Sequence, residues 1–191
     1  MRIAFLNQKG GVGKTTLVLL LSSVLKRAGY DVAIDDRDPQ GTSSVFAAVF
    51  GVPLLSENAD AEYVVTDTPG HLRIEGEVER ELSALIKQSD KLILVTEKSL
   101  ASIHGSAPMA KLINKKKSPQ AKAYVLFNQV RVQTMIGKQK GEDLAAKLGL
   151  PALTNELPLS AAFENAFSEG LSAVTGQHRD ELLNLALEIM K

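Results

Sequence analysis

A chain of 191 residues, 45% hydrophobic and 23% charged, has the composition of a globular protein and enough apolar material to bury its own core. It contains no cysteine, which excludes disulfides, thiolate metal sites and cysteine-ligated iron–sulfur clusters. No apolar run approaches the roughly 20 residues of a membrane span and the N-terminal one is too short for a secretory signal, so a cytoplasmic protein without a membrane partner is expected. The zero net charge conceals an asymmetry: from Lys98 to Lys147 there are ten basic residues and only two acidic ones, Glu142 and Asp143. This split predicts a basic face on an acidic body.

Strand and helix patterns alternate along the chain. Strands are predicted at Arg2–Asn7, Asp31–Asp35, Glu62–Thr66, Lys91–Thr96 and Ala121–Phe127, with a weak sixth at Ala152–Asn155. Several read as nearly continuous apolar runs (IAFL, LILV, AYVLF), as in parallel strands covered on both faces. Helices are predicted at Lys14–Ala28, Glu75–Gln88, Ser102–Asn114, Gln133–Leu148, Ala161–Glu169 and Arg179–Met190. The first is apolar almost all round and stops before Gly29, a natural terminator, which makes it a central helix packed on the sheet. The stretch Gly41–Asp60 reads as a short helix with a partial strand at VPLL. No repeat or dividing linker occurs, so residues 1–191 are expected to form a single α/β domain, a mostly parallel twisted sheet with helices on both faces.

The chemistry concentrates in NQKGGVGKTT, residues 7–16, between a strand and a helix. In that setting the backbone N–H groups of Gly10, Gly11, Val12, Gly13 and the helix start through Thr16 can cradle a phosphate chain. Lys14 would neutralise its outer oxygens, and the Thr15 hydroxyl would ligate Mg²⁺. The standard G-x-x-x-x-G-K-[ST] pattern is not met, because Gln8 stands at its first position and a second lysine, Lys9, precedes the glycines. Two further strands end in carboxylates: IDDRDPQG carries Asp36 and Asp38, and EYVVTDTPG carries Asp67. The C-terminal ends of parallel strands are where open α/β sheets contact ligands.

K-G-G-V-G-K-T, D-R-D-P-Q-G and the apolar strand ending in Asp67 together resemble the deviant Walker A ATPases of the ParA/MinD family. The resemblance implies a P-loop ATPase using ATP and Mg²⁺. It assigns catalytic roles to Lys9, Lys14 and Asp38, with Lys9 reaching the phosphates bound by a second subunit and Asp38 orienting the attacking water. It gives the Mg²⁺ shell to Thr15, Asp36 and Asp67, and makes Thr68–Gly70 a sensor of the outermost phosphate. FNQVR lacks the aspartate of guanine-specific relatives, so adenine is expected, beside Asn128, Pro158 and Leu159.

On the same resemblance the chain would be a slow, partner-stimulated ATPase. It would form an ATP-dependent homodimer, bind DNA without sequence preference, associate with the nucleoid, and be released by a ParB-like or other cargo-bound adaptor. The cargo would be a plasmid, a chromosome or another cellular body. Candidate DNA contacts are Lys111, Lys115, Lys116, Lys117 and Lys122 in AKLINKKKSPQAK, with Arg131, Lys138 and Lys140. The alternatives are a MinD-like membrane-associated ATPase and a metabolic ATP-dependent enzyme of the same superfamily. No helix-turn-helix extension is evident, so operator-specific DNA reading is not expected. Only about 25 residues separate Gly41 from Asp67, a shortened segment that bears on partner recognition.

Overall fold

The computed structural model describes residues 1–191. Five strands, β1 (Arg2–Leu6), β2 (Val32–Asp36), β3 (Tyr63–Asp67), β4 (Lys91–Thr96) and β5 (Lys122–Phe127), form one parallel sheet in the order β2-β3-β1-β4-β5. Seven helices accompany them: α1 (Lys14–Arg27), α2 (Thr42–Phe46), α3 (Gly76–Gln88), α4 (Leu100–Lys116), α5 (Gly141–Ala145), α6 (Ala161–Glu169) and α7 (Gly176–Met190).

Alternation along the strands builds two cores. Ile3, Phe5, Ile93 and Val95 point to the face covered by α1, α6 and α7, whereas Ala4, Leu6, Leu92 and Leu94 point to that covered by α3, α4 and α5. Both faces are therefore dry, as the unbroken apolar runs require. Helix α1 is buried from Leu17 to Leu25, and Gly29, at φ 91°, reverses the chain immediately after it. The short helix in Gly41–Asp60 is α2, and VPLL supplies a single parallel bridge, Ile34 to Leu54.

Two expectations fail. The helix predicted over Gln133–Leu148 is confined to α5 and a 3₁₀ turn at Ala146–Leu148. Thr134 Oγ1 donates to the Arg131 carbonyl and accepts from Gly137 N–H, closing a side-chain turn in place of a helical one. Gly137 fits because a Cβ there would lie 2.1 Å from the Arg131 carbonyl oxygen. The sixth strand is a lone bridge between Val125 and Ala152. Leu153 N–H still donates to the Val125 carbonyl at 2.8 Å, but the next ladder donor, Asn155 N–H, donates instead to the Glu188 carboxylate of α7 at 2.9 Å, so the pairing stops there.

Candidate active site

The loop from β1 to α1 is shaped by glycines that no other residue could replace without strain. Gly11 and Gly13 take φ values of 77° and 86°, in the left-handed region, and Gly13 is the N-cap of α1. The loop is braced from the end of β5. Asn128 Nδ2 donates to the Val12 carbonyl at 2.9 Å, and Gln129 Nε2 donates to the Gly11 carbonyl at 3.2 Å. A Cβ on Gly13 would sit 2.3 Å from Asn128 Nδ2. Gly13→Ala is therefore expected to break the brace and the left-handed cap together, costing about 1–3 kcal/mol of stability and the nucleotide-induced rise in Tm. Urea denaturation and thermal melts with and without Mg-ATP check both.

Two hollows flank the loop. One is lined by Thr16, Leu17, Leu20, Asn128, Pro158, Leu159 and Phe163, bringing together the three residues expected around a base with apolar walls from α1 and α6. The other, about 310 Å³, is lined by Gly10, Gly11, Gly13, Lys14, Thr15, Thr16, Asp38, Gln40, Gly70, His71 and Gln129, with no apolar residue. Lys14 is buried and has no carboxylate within salt-bridge distance. Burial holds its ammonium below the ordinary lysine range, while the charges of Asp67 and Asp38 pull it back up. The segment after β3 closes the cleft: Leu72 N–H donates to the Gln8 carbonyl at 3.2 Å, and Gly70 lies so close that a Cβ would be 2.9 Å from Gly10 Cα.

The three carboxylates differ sharply. Asp38 Oδ1 accepts from Gln40 N–H at 2.9 Å and its side chain faces the cleft. Asp36 is already engaged: Oδ2 accepts from Ser44 N–H and Oγ at 2.8 and 2.7 Å, and Oδ1 accepts from Asp38 N–H at 3.1 Å. It ties β2 to α2. Asp67, its register partner in β3, is fully buried and neither oxygen has a hydrogen-bond donor in proper geometry. Burial pushes its carboxyl up to about 6, moderated by the nearby Thr15 and Ser43 hydroxyls. An orphaned buried carboxylate beside the hydroxyl of Thr15 fits a hydrated divalent cation, which would supply the missing contacts. Asp35 Oδ2 accepts from Arg37 Nε at 2.8 Å.

Lys9 lies outside this cleft. Its Nζ donates to Glu97 Oε2 at 2.7 Å, just beyond β4, and to Ser102 Oγ at 2.6 Å in the first turn of α4. Glu97 is consequently held below the usual carboxylate range, chiefly by the Lys9 and Ser102 hydrogen bonds. Neither partner was anticipated from sequence, although Glu97 follows a parallel strand as Asp36 and Asp67 end theirs. The His71 ring lies against Gly10, with His71 itself at φ 57°.

The eight basic candidates do not form one face. Lys111, Lys115 and Lys116 occupy the C-terminal half of α4, Lys117 is its C-cap, and Lys122 opens β5. Arg131, Lys138 and Lys140 follow the other end of β5, one strand length or about 17–20 Å away. Lys98 is a buried clamp, paired with Glu156 at 2.7 Å and donating to the Gln139 carbonyl at 2.7 Å.

Comparison with known proteins fits this geometry. The chain is 29% identical to the maintenance of carboxysome distribution protein A of Gloeobacter kilaueensis over 186 residues, 89% of this chain and 82% of that one. Its fold superposes on the cell division protein MinD of Aquifex aeolicus with a TM-score of 0.74 at 16% identity, covering 99% and 96% of the two chains. It also superposes on the septum site-determining protein MinD of Pyrococcus horikoshii complexed with Mg-ADP, with a TM-score of 0.71 at 17% identity over 100% and 96%. Residues 3–174 match the family described as the CobQ/CobB/MinD/ParA nucleotide binding domain, and the chain belongs to it as a P-loop ATPase of the ParA/MinD type.

Proposed function

We propose that this protein is a positioning ATPase that uses Mg-ATP to close into a sandwich dimer and that distributes a cellular cargo over DNA. The observation that carries the reading is the division of labour between two lysines. Lys14 stands in the phosphate cleft, whereas Lys9, at the start of the same loop, is outside it and accessible at the molecular surface. A cation that cannot serve its own cleft from that rotamer is suited to serve another copy's. Transfer of the outermost phosphoryl group spreads negative charge, and a second cation supplied by a partner stabilises it.

Within each subunit, Gly10, Gly11, Val12, Gly13 and Thr16 cradle the phosphates through backbone N–H groups, with Lys14 as counter-charge. Thr15 and Asp67 would hold Mg²⁺, which would supply positive charge against the phosphates. Asp36 contributes from a second layer, since its oxygens are committed to Ser44 and Asp38. Asp38 orients the attacking water from across the cleft. Asn128, Pro158 and Leu159 receive an adenine.

DNA binding would use one or both of the separated basic groups. Arg131, Lys138 and Lys140 follow the C-terminal end of β5, the end of the sheet that carries the nucleotide cleft and where a second subunit would dock. A cargo-bound adaptor would then trigger hydrolysis. The likeness to the Gloeobacter relative supports carboxysome-like bodies as one class of cargo to test beside plasmids and chromosomes. The membrane-associated alternative has less support, because α7 packs Leu182, Leu185, Ala186 and Ile189 into the core.

Sedimentation with ADP, ATP and a non-hydrolysable ATP analogue, with and without DNA, tests the reading. A dimer is expected only with triphosphate and Mg²⁺, and DNA binding by it should fall steeply with salt. A chain that stays monomeric when saturated with the analogue overturns the proposal. Lys9→Ala is expected to keep nucleotide binding while lowering dimerisation or turnover by at least about tenfold.

A further inference from the structure

The geometry points to Glu97 as a positioning residue that withholds Lys9 until a triphosphate is presented, and so sets how well the protein distinguishes ATP from ADP when it dimerises. The inference rests on the cross-subunit role proposed for Lys9.

Glu97 Oε2 receives both Lys9 Nζ and the Ser102 hydroxyl. Ser102 Oγ in turn accepts from Lys9 Nζ at 2.6 Å and from Ser99 Oγ at 2.8 Å, so its one donor and two acceptor positions are all used. The acceptor pair is thus fixed before the lysine arrives. Ser99 is also the N-cap of α4, accepting from Ser102 N–H at 3.1 Å, which anchors this pair to a 17-residue helix.

The backbone beneath Lys9 is equally fixed. Lys9 N–H donates to Asn7 Oδ1 at 3.0 Å, and Asn7 Nδ2 donates to the Val95 carbonyl at 2.7 Å and to Ser106 Oγ at 2.8 Å. Gln8 Nε2 donates to the Gly105 carbonyl. With the main chain tied to β4 and α4, Lys9 can reach another subunit only by rotating its side chain away from Glu97. The ion pair is not deep: the side chains are 37% and 30% exposed. A pair of this kind is weak enough to exchange and strong enough to bias a population.

The competing anion decides the outcome. The outermost phosphate of a triphosphate, enclosed by a second subunit, offers more negative charge in a drier place than Glu97 does. The terminal phosphate of a diphosphate lies one phosphoryl group deeper and leaves Lys9 with its carboxylate. Each dimer must open two such pairs, so the bias counts twice.

Glu97→Gln keeps the shape and removes the charge. With the non-hydrolysable ATP analogue and Mg²⁺, this variant is expected to dimerise about 3- to 30-fold more tightly in sedimentation equilibrium. It should also show measurable dimer with ADP at concentrations where the parent chain is monomeric. Ser102→Ala, which removes one acceptor, should move both in the same direction by less, and serves if the first variant folds poorly. In a Lys9→Ala background Glu97→Gln should change nothing, a non-additivity that a purely structural role for Glu97 would not give. Unchanged or weaker dimerisation by Glu97→Gln, or an effect that persists without Lys9, overturns the inference. If Lys9→Ala itself dimerises and turns over like the parent, the cross-subunit reading falls first.

Discussion

Lys14→Ala is expected to lower nucleotide affinity by about 10²–10³-fold while leaving the nucleotide-free protein as stable as before or slightly more so. The two halves have one cause. The ammonium is buried beside Asp67 and Asp38 without a salt bridge, and burial holds it below the ordinary lysine range. A lysine depressed in the folded state costs stability wherever it is charged, so at neutral pH its removal relieves a penalty. The lost side-chain packing offsets part of that relief, and the nucleotide-free Tm should move by no more than about 3 °C. When phosphates occupy the cleft the same dry charge becomes its principal counter-charge, and losing one partner of a buried pair costs about 3–5 kcal/mol. The measurement is the rise in Tm with Mg-ATP: about 2.7 kcal/mol of stabilisation at a hundredfold excess over Kd in the parent, and close to none in the variant. A variant that retains the nucleotide shift would remove Lys14 from the phosphate site.

Much of this arrangement is legible in the chain because the relevant signals are local. The parallel strands announce themselves as apolar runs, and Asp36 and Asp67 stand at the ends of two of them, paired across β2 and β3. The glycines of residues 10–13 are read through backbone conformation alone. Signals that depend on side chains meeting across the fold are not legible. Lys9 and Glu97 lie 88 positions apart, and nothing around either residue indicates the pair. Glu188 halts the sixth strand from 33 positions away by taking the Asn155 N–H that a ladder would have used. Thr134 and Gly137 turn a helical pattern into a loop through one hydroxyl. The basic stretch misleads in the opposite way. Its basic residues are near one another in sequence, but β5 runs the length of the sheet between them and leaves Lys122 and Arg131 at opposite ends of its strands.

Asp67→Asn is expected to raise the stability of the nucleotide-free protein at pH 7.5 and to abolish the stabilisation that Mg²⁺ and nucleotide give together. Burial lifts this carboxyl from an ordinary 3.8 to about 6. Between those two values the folded chain keeps a proton that the unfolded chain has lost, so stability falls as pH rises through the window. Above about pH 6 the full penalty applies, of the order of 1–3 kcal/mol once the neighbouring hydroxyls of Thr15 and Ser43 are allowed for. Asparagine carries no such charge, and the same hydroxyls can pair with its amide. The variant should therefore melt about 3–10 °C above the parent at pH 7.5, and the gap should close as pH falls below about 4. Adding Mg-ATP reverses the order, because a cation converts the parent's orphaned charge into an attraction that the amide cannot match. Thermal melts across pH 4–8, with and without Mg-ATP, separate these outcomes. An asparagine variant that is less stable at pH 7.5, or a gap that ignores pH, would mean that Asp67 is not the uncompensated charge around which this site is built.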